Sequence, residues 1–250
     1  MPKTLLAYLV DRISQNANNF ESDFDAWQTF ISEETKESMV RFVLIRPGST
    51  DFDEQGRIQG TLDIPLSERG AAEAARIASE LKSQNLSALY SAPCQSAAQT
   101  AAAIGKALGL KPKKLDKLQN LDHGLWQGML IDEVKHKQPK VYRQWQENPW
   151  IVCPPEGEML SQAEERIRAA FGKLLKKHRE GVVALVLPEP LCSVVHSCLT
   201  RAAVGDLWEC CPSPGSWEAL SIDNPNLAAH DLAVKYEMPT GRDPLPAPFS

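Results

Sequence analysis

Two short segments place charged residues where an α/β protein is expected to bind its ligand. Arg46 begins the tripeptide Arg-Pro-Gly directly after the apolar run at residues 40–45. Glu189 stands between two prolines after the apolar run at residues 181–187. In open α/β sheets, ligands bind beyond the carboxyl ends of the strands, where helix N-termini also converge. The sequence therefore predicts a site at these two strand ends.

A second group of residues has side chains of the types that bind zinc. Cys192, His196 and Cys198 lie close together in the sequence, and Cys210 and Cys211 follow. On a helix, Cys192 and His196 share a face, whereas Cys198 points nearly the opposite way. The six cysteines are scattered and lack C-x-x-C spacing, which favours buried thiols in a core helix. No metal and no cofactor is predicted.

The elements that position these residues alternate between strands and helices. This pattern predicts an α/β fold with a mostly parallel sheet covered on both faces. A less regular stretch at about residues 115–155, rich in Trp and Pro, is predicted to be an insert. The predicted strands are 40–45, 88–90, 181–187, 217–222 and 232–236, and the predicted helices are 72–81, 94–108, 161–177 and 191–203, the last closed by Gly205.

The chain is predicted to have three parts. Residues 1–39 form a helical N-terminal extension, because apolar residues recur there at helical spacing. Residues 40–238 form the main domain, and residues 239–250 form a Pro-rich tail that is expected to be extended. The extension either packs on the domain or binds a partner, and the sequence leaves both open.

Four motifs in the main domain occur in a fixed order. Segment 42–70 ends in RIQGTLDIPLSERG; YSAP at 90–93 is followed by QTA at 99–101; GLWQG stands at 124–128 and PPEGE at 154–158. In order and spacing they resemble the motifs of the histidine phosphatase (phosphoglycerate mutase-like) superfamily over residues 40 to about 222. The resemblance implies a three-layer α/β/α fold with a mostly parallel central sheet.

The family's chemistry needs residues that this sequence replaces. The resemblance implies a nucleophilic histidine, two arginines and a second histidine around the phosphoryl group, and a carboxylic acid that protonates the leaving oxygen. The nucleophile's position holds Pro47 and the second arginine's position holds Ser96. The acid's position holds Asn120, and the second histidine's position holds Glu189. No catalytic residue is therefore predicted.

Some of the family's pattern is kept. Arg46, Gly48 and Arg57 fit it, and Asp53 stands where an asparagine is common. The resemblance therefore implies a vestigial pocket made of Arg46, Pro47, Gly48, Asp53, Arg57, Ser96, Asn120 and Glu189.

The favoured hypothesis is a catalytically inactive family member, a pseudoenzyme that serves as a binding or regulatory scaffold. Glu189 is then expected to pair with Arg46 and to occupy the place that a phosphate would take. Two like unit charges 4 Å apart repel by about 1 kcal/mol in water and by about 4 at an effective dielectric of 20, so the affinity for phosphate is expected to fall steeply. The alternative is that Glu189 is an exposed loop residue in a decayed pocket.

Two other functions stay open. A phosphatase or mutase-like hydrolase could use relocated catalytic residues, for which His123 and Cys94 are the candidates. A structural interaction module could instead use Trp126, Trp145 and Trp150 around the cleft as an apolar contact surface.

Composition limits the partners. The net charge of -5 and the isoelectric point near 5.6 argue against a nucleic-acid or anionic-membrane partner. The basic cluster at residues 173–179 is interpreted as the solvated face of a helix. The apolar run at residues 5–10 is too short to span a membrane, and no cleavage site follows it. A cytoplasmic protein with an unidentified protein or small-molecule partner is predicted.

Overall fold

The computed structural model describes residues 40–204, 207–208 and 213–222. The chain divides into two units, residues 1–38 and residues 39–250. The predicted N-terminal extension, the predicted strand at 232–236, Gly205 and the Pro-rich tail lie outside the described residues.

A five-stranded sheet forms the centre of the second unit, with the strand order β3-β2-β4-β1-β5. The strands are β1 (Val40–Ile45), β2 (Ala88–Ser91), β3 (Lys113–Lys114), β4 (Gly181–Val186) and β5 (Trp217–Ile222). β1 pairs in parallel with β4, β4 with β2 and β2 with β3, whereas the edge strand β5 runs antiparallel to β1. The mostly parallel sheet predicted from the alternating pattern is confirmed.

Seven α-helices flank or follow the described strands: α1 (Asp51–Gln55), α2 (Glu68–Glu80), α3 (Gln95–Leu108), α4 (Ile131–Lys137), α5 (Pro139–Glu147), α6 (Leu160–Lys177) and α7 (Leu191–Thr200). Short 3-10 helices occupy residues 81–84, 116–118, 124–126 and 149–151. None of these described helices is long and apolar enough to cross a membrane.

The two central strands are buried because helices cover the sheet on both faces. Every residue of β1 from Phe42 to Ile45 and of β4 from Val183 to Val186 is buried. This explains their continuous apolar runs, since a strand buried on both faces has no polar side to alternate with. Phe42 packs edge-on against Phe171 of α6 at a ring-centroid distance of 5.3 Å.

Two predicted helix boundaries and one predicted irregular stretch differ from the structure. α2 begins at Glu68 rather than residue 72, because the side chain of Ser67 accepts a hydrogen bond from the Gly70 amide and caps the helix. α7 ends at Thr200 rather than 203, because Arg201 adopts a left-handed backbone (φ 61°). The stretch at 115–155 is more regular than expected, since it contains α4 and α5.

Candidate functional site

The two predicted strand ends lie side by side. Ile45 of β1 is directly opposite Val186 of β4, and the Leu187 amide donates to the Ile45 carbonyl at 2.9 Å. On the other side of β1, the Arg46 amide donates to the Ser216 carbonyl at 2.8 Å. Arg46 is therefore held between the end of β4 and the start of β5.

Arg46 and Glu189 form an ion pair at this edge of the sheet. The Arg46 Nε donates to Glu189 Oε1 at 2.5 Å, and the two side chains are only 3% and 13% exposed. An Arg46 terminal nitrogen, Nη1, also donates to Oε1 of Glu218 on β5 at 3.1 Å. The predicted Arg46–Glu189 contact is confirmed, and Glu189 is not an exposed loop residue.

Two carboxylates thus surround one buried guanidinium. Burial by itself lowers the pKa of Arg46, but the interactions around the guanidinium outweigh burial and raise the pKa; among them are the negative charge of Glu189 and the hydrogen bonds to Glu189 and Glu218. The second oxygen of Glu218 lies 3.4 Å from Nε2 of His196. The Arg46 charge is therefore largely neutralised within the protein.

The loop that carries Glu189 is anchored at several points. The second Glu189 oxygen accepts from the Ser193 amide at 3.3 Å, in the first turn of α7. There the helix dipole also favours a negative charge. The backbone carbonyl of Glu189 accepts from Asn120 Nδ2 at 2.8 Å. Both the carboxylate and the backbone of Glu189 are thereby fixed.

Asn120 acts as a structural cross-link. Its Nδ2 also donates to the Gly60 carbonyl at 3.0 Å, and its Oδ1 accepts from the Leu191 amide at 3.3 Å. The side chain is buried, so each of these bonds satisfies a group that water cannot reach. Asn120 therefore joins the start of α7 and the Glu189 loop to the segment before α2.

A cavity of about 220 Å³ opens at the two strand ends. Seven of the eight predicted pocket residues line it, and Asn120 is the exception. The lining residues are Arg46, Pro47, Gly48, Asp53, Gly56, Arg57, Gln59, Ser96, Ile131, Pro188, Glu189, Trp208 and Pro214.

The other two charged lining residues also have partners within the protein. Both the amide and the hydroxyl of Thr50 donate to Asp53 Oδ2 at 2.7 Å, which closes the capping box at the start of α1. Arg57 donates from Nη1 to the Gly128 carbonyl at 2.7 Å and from Nε to Gln55 Oε1 at 2.8 Å. These contacts stabilise the loops around the cavity.

Gly48 and Ser96 form a tightly packed part of the wall. A Cβ atom on Gly48 would lie 2.0 Å from the Gly70 carbonyl oxygen, so only glycine fits there. The Gly48 amide donates to Thr100 Oγ1 of α3 at 3.2 Å. Ser96 is buried, and its Oγ lies 3.7 Å from Cys94 Sγ.

The two candidates for relocated chemistry do not line the cavity. His123 is buried in an aromatic cluster with Trp126, Tyr142, Trp145 and Trp208. Burial lowers the pKa of His123 to about 4, and neither ring nitrogen has a hydrogen-bond partner. His123 is therefore a packing residue and not a candidate for relocated chemistry, because this cluster encloses it.

Cys94 lies at the N-cap of α3, next to the wall rather than in it. Burial raises the pKa of its thiol, which opposes formation of a nucleophilic thiolate.

The tryptophans proposed as a contact surface are mostly internal. Trp126 and Trp145 are among the largest fully buried side chains, and Trp150 is partly buried against the same core. The exposed large apolar side chains in the described part of the chain are Leu125 and Ile151.

Cysteines in the described segments are free thiols. Burial raises the pKa of Cys192 well above its usual value and that of Cys198 to about 12. Within residues 40–204, 207–208 and 213–222, no three His, Cys, Asp or Glu side chains are placed to hold a metal ion. Cys210 and Cys211 lie outside the described residues.

Four residues of the site were not predicted from the sequence. Glu218 binds Arg46, and Gln59, Ile131 and Trp208 line the cavity. One feature of the sequence could have indicated Glu218, since it is an acidic residue inside the strand predicted at 217–222. Trp208 and Ile131 are brought to the cavity by tertiary packing, and no local pattern marks them.

Comparison with known proteins gives the family. The model of the histidine phosphatase superfamily (branch 1) matches residues 42–234. Phosphoserine phosphatase 1 of Hydrogenobacter thermophilus is 36% identical over 148 residues, which are 59% of this chain and 70% of that protein. Three curated mycobacterial relatives are 30% identical, and the match spans 40% of their length.

Solved structures agree with this assignment. A structure described as mycobacterial hydrolase 1 is 26% identical with a TM-score of 0.67, covering 73% of this chain and 92% of that one. A mycobacterial glucosyl-3-phosphoglycerate phosphatase, 24% identical, has the same fold with a TM-score of 0.67, covering 75% of this chain and 94% of that one. The chain belongs to the histidine phosphatase superfamily.

Proposed function

We propose that this member of the superfamily does not transfer phosphoryl groups by the family's covalent route and serves as a binding or regulatory scaffold. The observation that carries the proposal is the Arg46–Glu189 ion pair. A carboxylate 2.5 Å from the guanidinium stands at the strand end where an incoming phosphate needs a free cation.

The residue types around the cavity support the same reading. Pro47 has no nucleophilic atom, and the Asn120 side chain is an amide, which does not release a proton at neutral pH. Because burial enhances electrostatic interactions, a phosphate dianion brought beside Glu189 is repelled more strongly than it would be in water. Loss of both the nucleophile and the cation field argues against covalent phosphoryl transfer.

A second candidate is a phosphatase with different catalytic residues. The observation that favours it is the similarity to proteins named as phosphatases, among them phosphoserine phosphatase 1 at 36% identity. That function requires a nucleophile or an activated water at the cavity. His123 and Cys94, the candidates for this role, lie outside its lining.

Hydrolysis of p-nitrophenyl phosphate distinguishes the two candidates. We expect the unaltered protein, Arg46→Ala and a no-enzyme blank to give the same rate. Pro47→His, purified in the same way, tests whether the nucleophile alone is limiting, and we expect it to stay inactive while Glu189 is present. Turnover by the unaltered protein that Arg46→Ala abolishes would establish a phosphatase and refute the proposal.

The cellular setting remains a sequence-based proposal. A cytoplasmic location and an unidentified protein or small-molecule partner are the expectations that follow from the charge and the scattered cysteines.

A further inference from the structure

We propose that the cavity at the strand ends binds a small uncharged molecule that has a hydrogen-bond acceptor beside an apolar face. The inference rests on the proposed function, because it names the class of ligand that a scaffold of this kind holds. It differs from the family's chemistry in that the occupant is not an anion.

The charges of the cavity wall cancel. Arg46 and Arg57 supply two positive charges and Asp53 and Glu189 supply two negative ones. Arg46 is shared between two carboxylates, since Glu218 binds its Nη1 from behind the wall. An anion that enters the cavity is repelled by the Glu189 carboxylate, and a cation is repelled by the two guanidinium groups. A neutral molecule avoids both repulsions.

The rest of the wall is largely apolar and rigid. The apolar part of the wall consists of three proline rings and two larger side chains, which are Pro47, Pro188, Pro214, Ile131 and Trp208. Proline rings and an indole present flat or gently curved apolar faces, which pack well against a planar ligand. Because these side chains have few rotamers to lose, little ordering opposes binding.

The side-chain amide of Gln59 brings a polar group without a partner to the wall. Gln59 lines the cavity, and its Nε2 is buried without a hydrogen bond in the structure. Buried donors are nearly always paired, so an unpaired one calls for a specific explanation. A ligand oxygen that accepts from this amide supplies the missing bond. The other polar wall residues differ, because Arg46, Gly48 and Asp53 already have partners.

The cavity volume sets the size of the occupant. At about 220 Å³, it lies below the roughly 300–1,000 Å³ typical of pockets for drug-sized ligands. A single ring that bears an amide fits this limit and the wall chemistry. Benzamide is therefore a suitable neutral probe, and phenyl phosphate is its anionic counterpart with the same ring.

Both probes are titrated into the full chain and followed by two-dimensional ¹H–¹⁵N NMR, which detects weak binding. We expect benzamide to bind with a Kd on the order of 1 mM, as is usual for a ligand of this size. We expect phenyl phosphate to bind at least about tenfold more weakly, because of Glu189. The shifted signals should include the Gln59 side-chain amide.

Variants locate the site. Gln59→Leu removes the amide donor and should weaken benzamide binding about tenfold or more. Ile131→Trp fills the cavity and should abolish binding. Gln144→Leu, an exposed position on α5, is the matched control and should leave binding unchanged. Thermal melting checks that each variant is folded.

The outcomes separate this inference from the proposed function. If benzamide causes no shift, or binds Gln59→Leu as well as the unaltered protein, the inference is wrong and the proposed function stands. If phenyl phosphate binds more tightly than benzamide, the cavity still selects anions and the inference is again wrong. Hydrolysis of phenyl phosphate in the NMR tube would instead overturn the proposed function.

Discussion

Removing the Glu189 carboxylate should destabilise the protein and, at the same time, create a phosphate site. Arg46 is 3% exposed, and Glu189→Ala leaves it with Glu218 alone, at 3.1 Å. Removing one partner of a buried ion pair typically costs about 3–5 kcal/mol. Since Glu218 remains and the lost bond to Ser193 is a single cap, we expect a loss of about 3 kcal/mol in the free energy of unfolding.

Phosphate should then restore part of the lost stability. In Glu189→Ala, the Arg46 guanidinium and the Ser193 amide in the first turn of α7 are free to bind an anion. With a Kd of about 1 mM, 20 mM phosphate stabilises the folded state by about 2 kcal/mol. The unaltered protein should gain nothing, because its own carboxylate fills that position.

Urea unfolding with and without phosphate, at an ionic strength matched with chloride, measures both effects. Asp116→Ala is the control, because it breaks an exposed ion pair with Lys114 that is worth only about 0–1 kcal/mol. Equal stabilisation of the unaltered protein and Glu189→Ala by phosphate would refute the reasoning. So would a loss in Glu189→Ala no larger than that in the control.

Three further predictions concern the framework of the site. Between pH 7 and pH 4, the free energy of unfolding of the unaltered protein should fall by about 3 kcal/mol more than that of His123→Phe. The pKa of His123 is about 4 in the folded protein and near 6.5 in the unfolded chain, so the unfolded chain gains the proton first as the pH falls. Equal pH profiles of the two proteins in urea unfolding would contradict this. Gly48→Ala should lower the free energy of unfolding by about 3 kcal/mol or prevent folding, because its Cβ would clash with the Gly70 carbonyl oxygen. The control Gly109→Ala strains a positive φ but has free space around the Cβ, so thermal melting should show a loss of only about 1 kcal/mol. A larger loss in Gly109→Ala than in Gly48→Ala would contradict the packing described. Asn120→Leu should lower the free energy of unfolding, measured with urea, by about 2–4 kcal/mol, because it leaves two buried carbonyls and one amide without their hydrogen-bond partner. A loss below about 0.5 kcal/mol would mean that Asn120 is not a cross-link.

The strand ends and their charged residues could be predicted from the sequence alone. The apolar runs at 40–45 and 181–187 are long and continuous, which indicates both strands and places Arg46 and Glu189 at strand ends. That the two residues should pair followed from the resemblance to the histidine phosphatase superfamily, which implies that both positions surround one phosphoryl group. The strands therefore depend on local pattern and sheet geometry, whereas the ion pair depends on the resemblance.

The partners contributed by distant elements could not be predicted. Glu218 reaches Arg46 because β5 returns antiparallel along β1, and nothing in the sequence near Glu218 specifies that pairing. His123 lies three residues beyond Asn120, and this spacing alone made it a candidate for the cleft. Packing of the aromatic cluster instead turned it inward, and such packing depends on several segments at once.

The similarity to named phosphatases and the chemistry of the cavity lead to different expectations. Family membership is a property of the fold, whereas activity depends on the side chains at the site. Here the fold matches closely, with a TM-score of 0.67 to a mycobacterial phosphatase. At the strand ends, however, Pro47 and Glu189 stand in the cavity wall.

The most direct measurement is the intact mass of the full chain, acid- and base-quenched within milliseconds to minutes of mixing with phenyl phosphate. The account predicts an unmodified chain at every time, because Pro47 stands at the position of the family's nucleophile and Glu189 pairs with the buried Arg46 cation. A phosphorylated chain that forms and decays during turnover would contradict it.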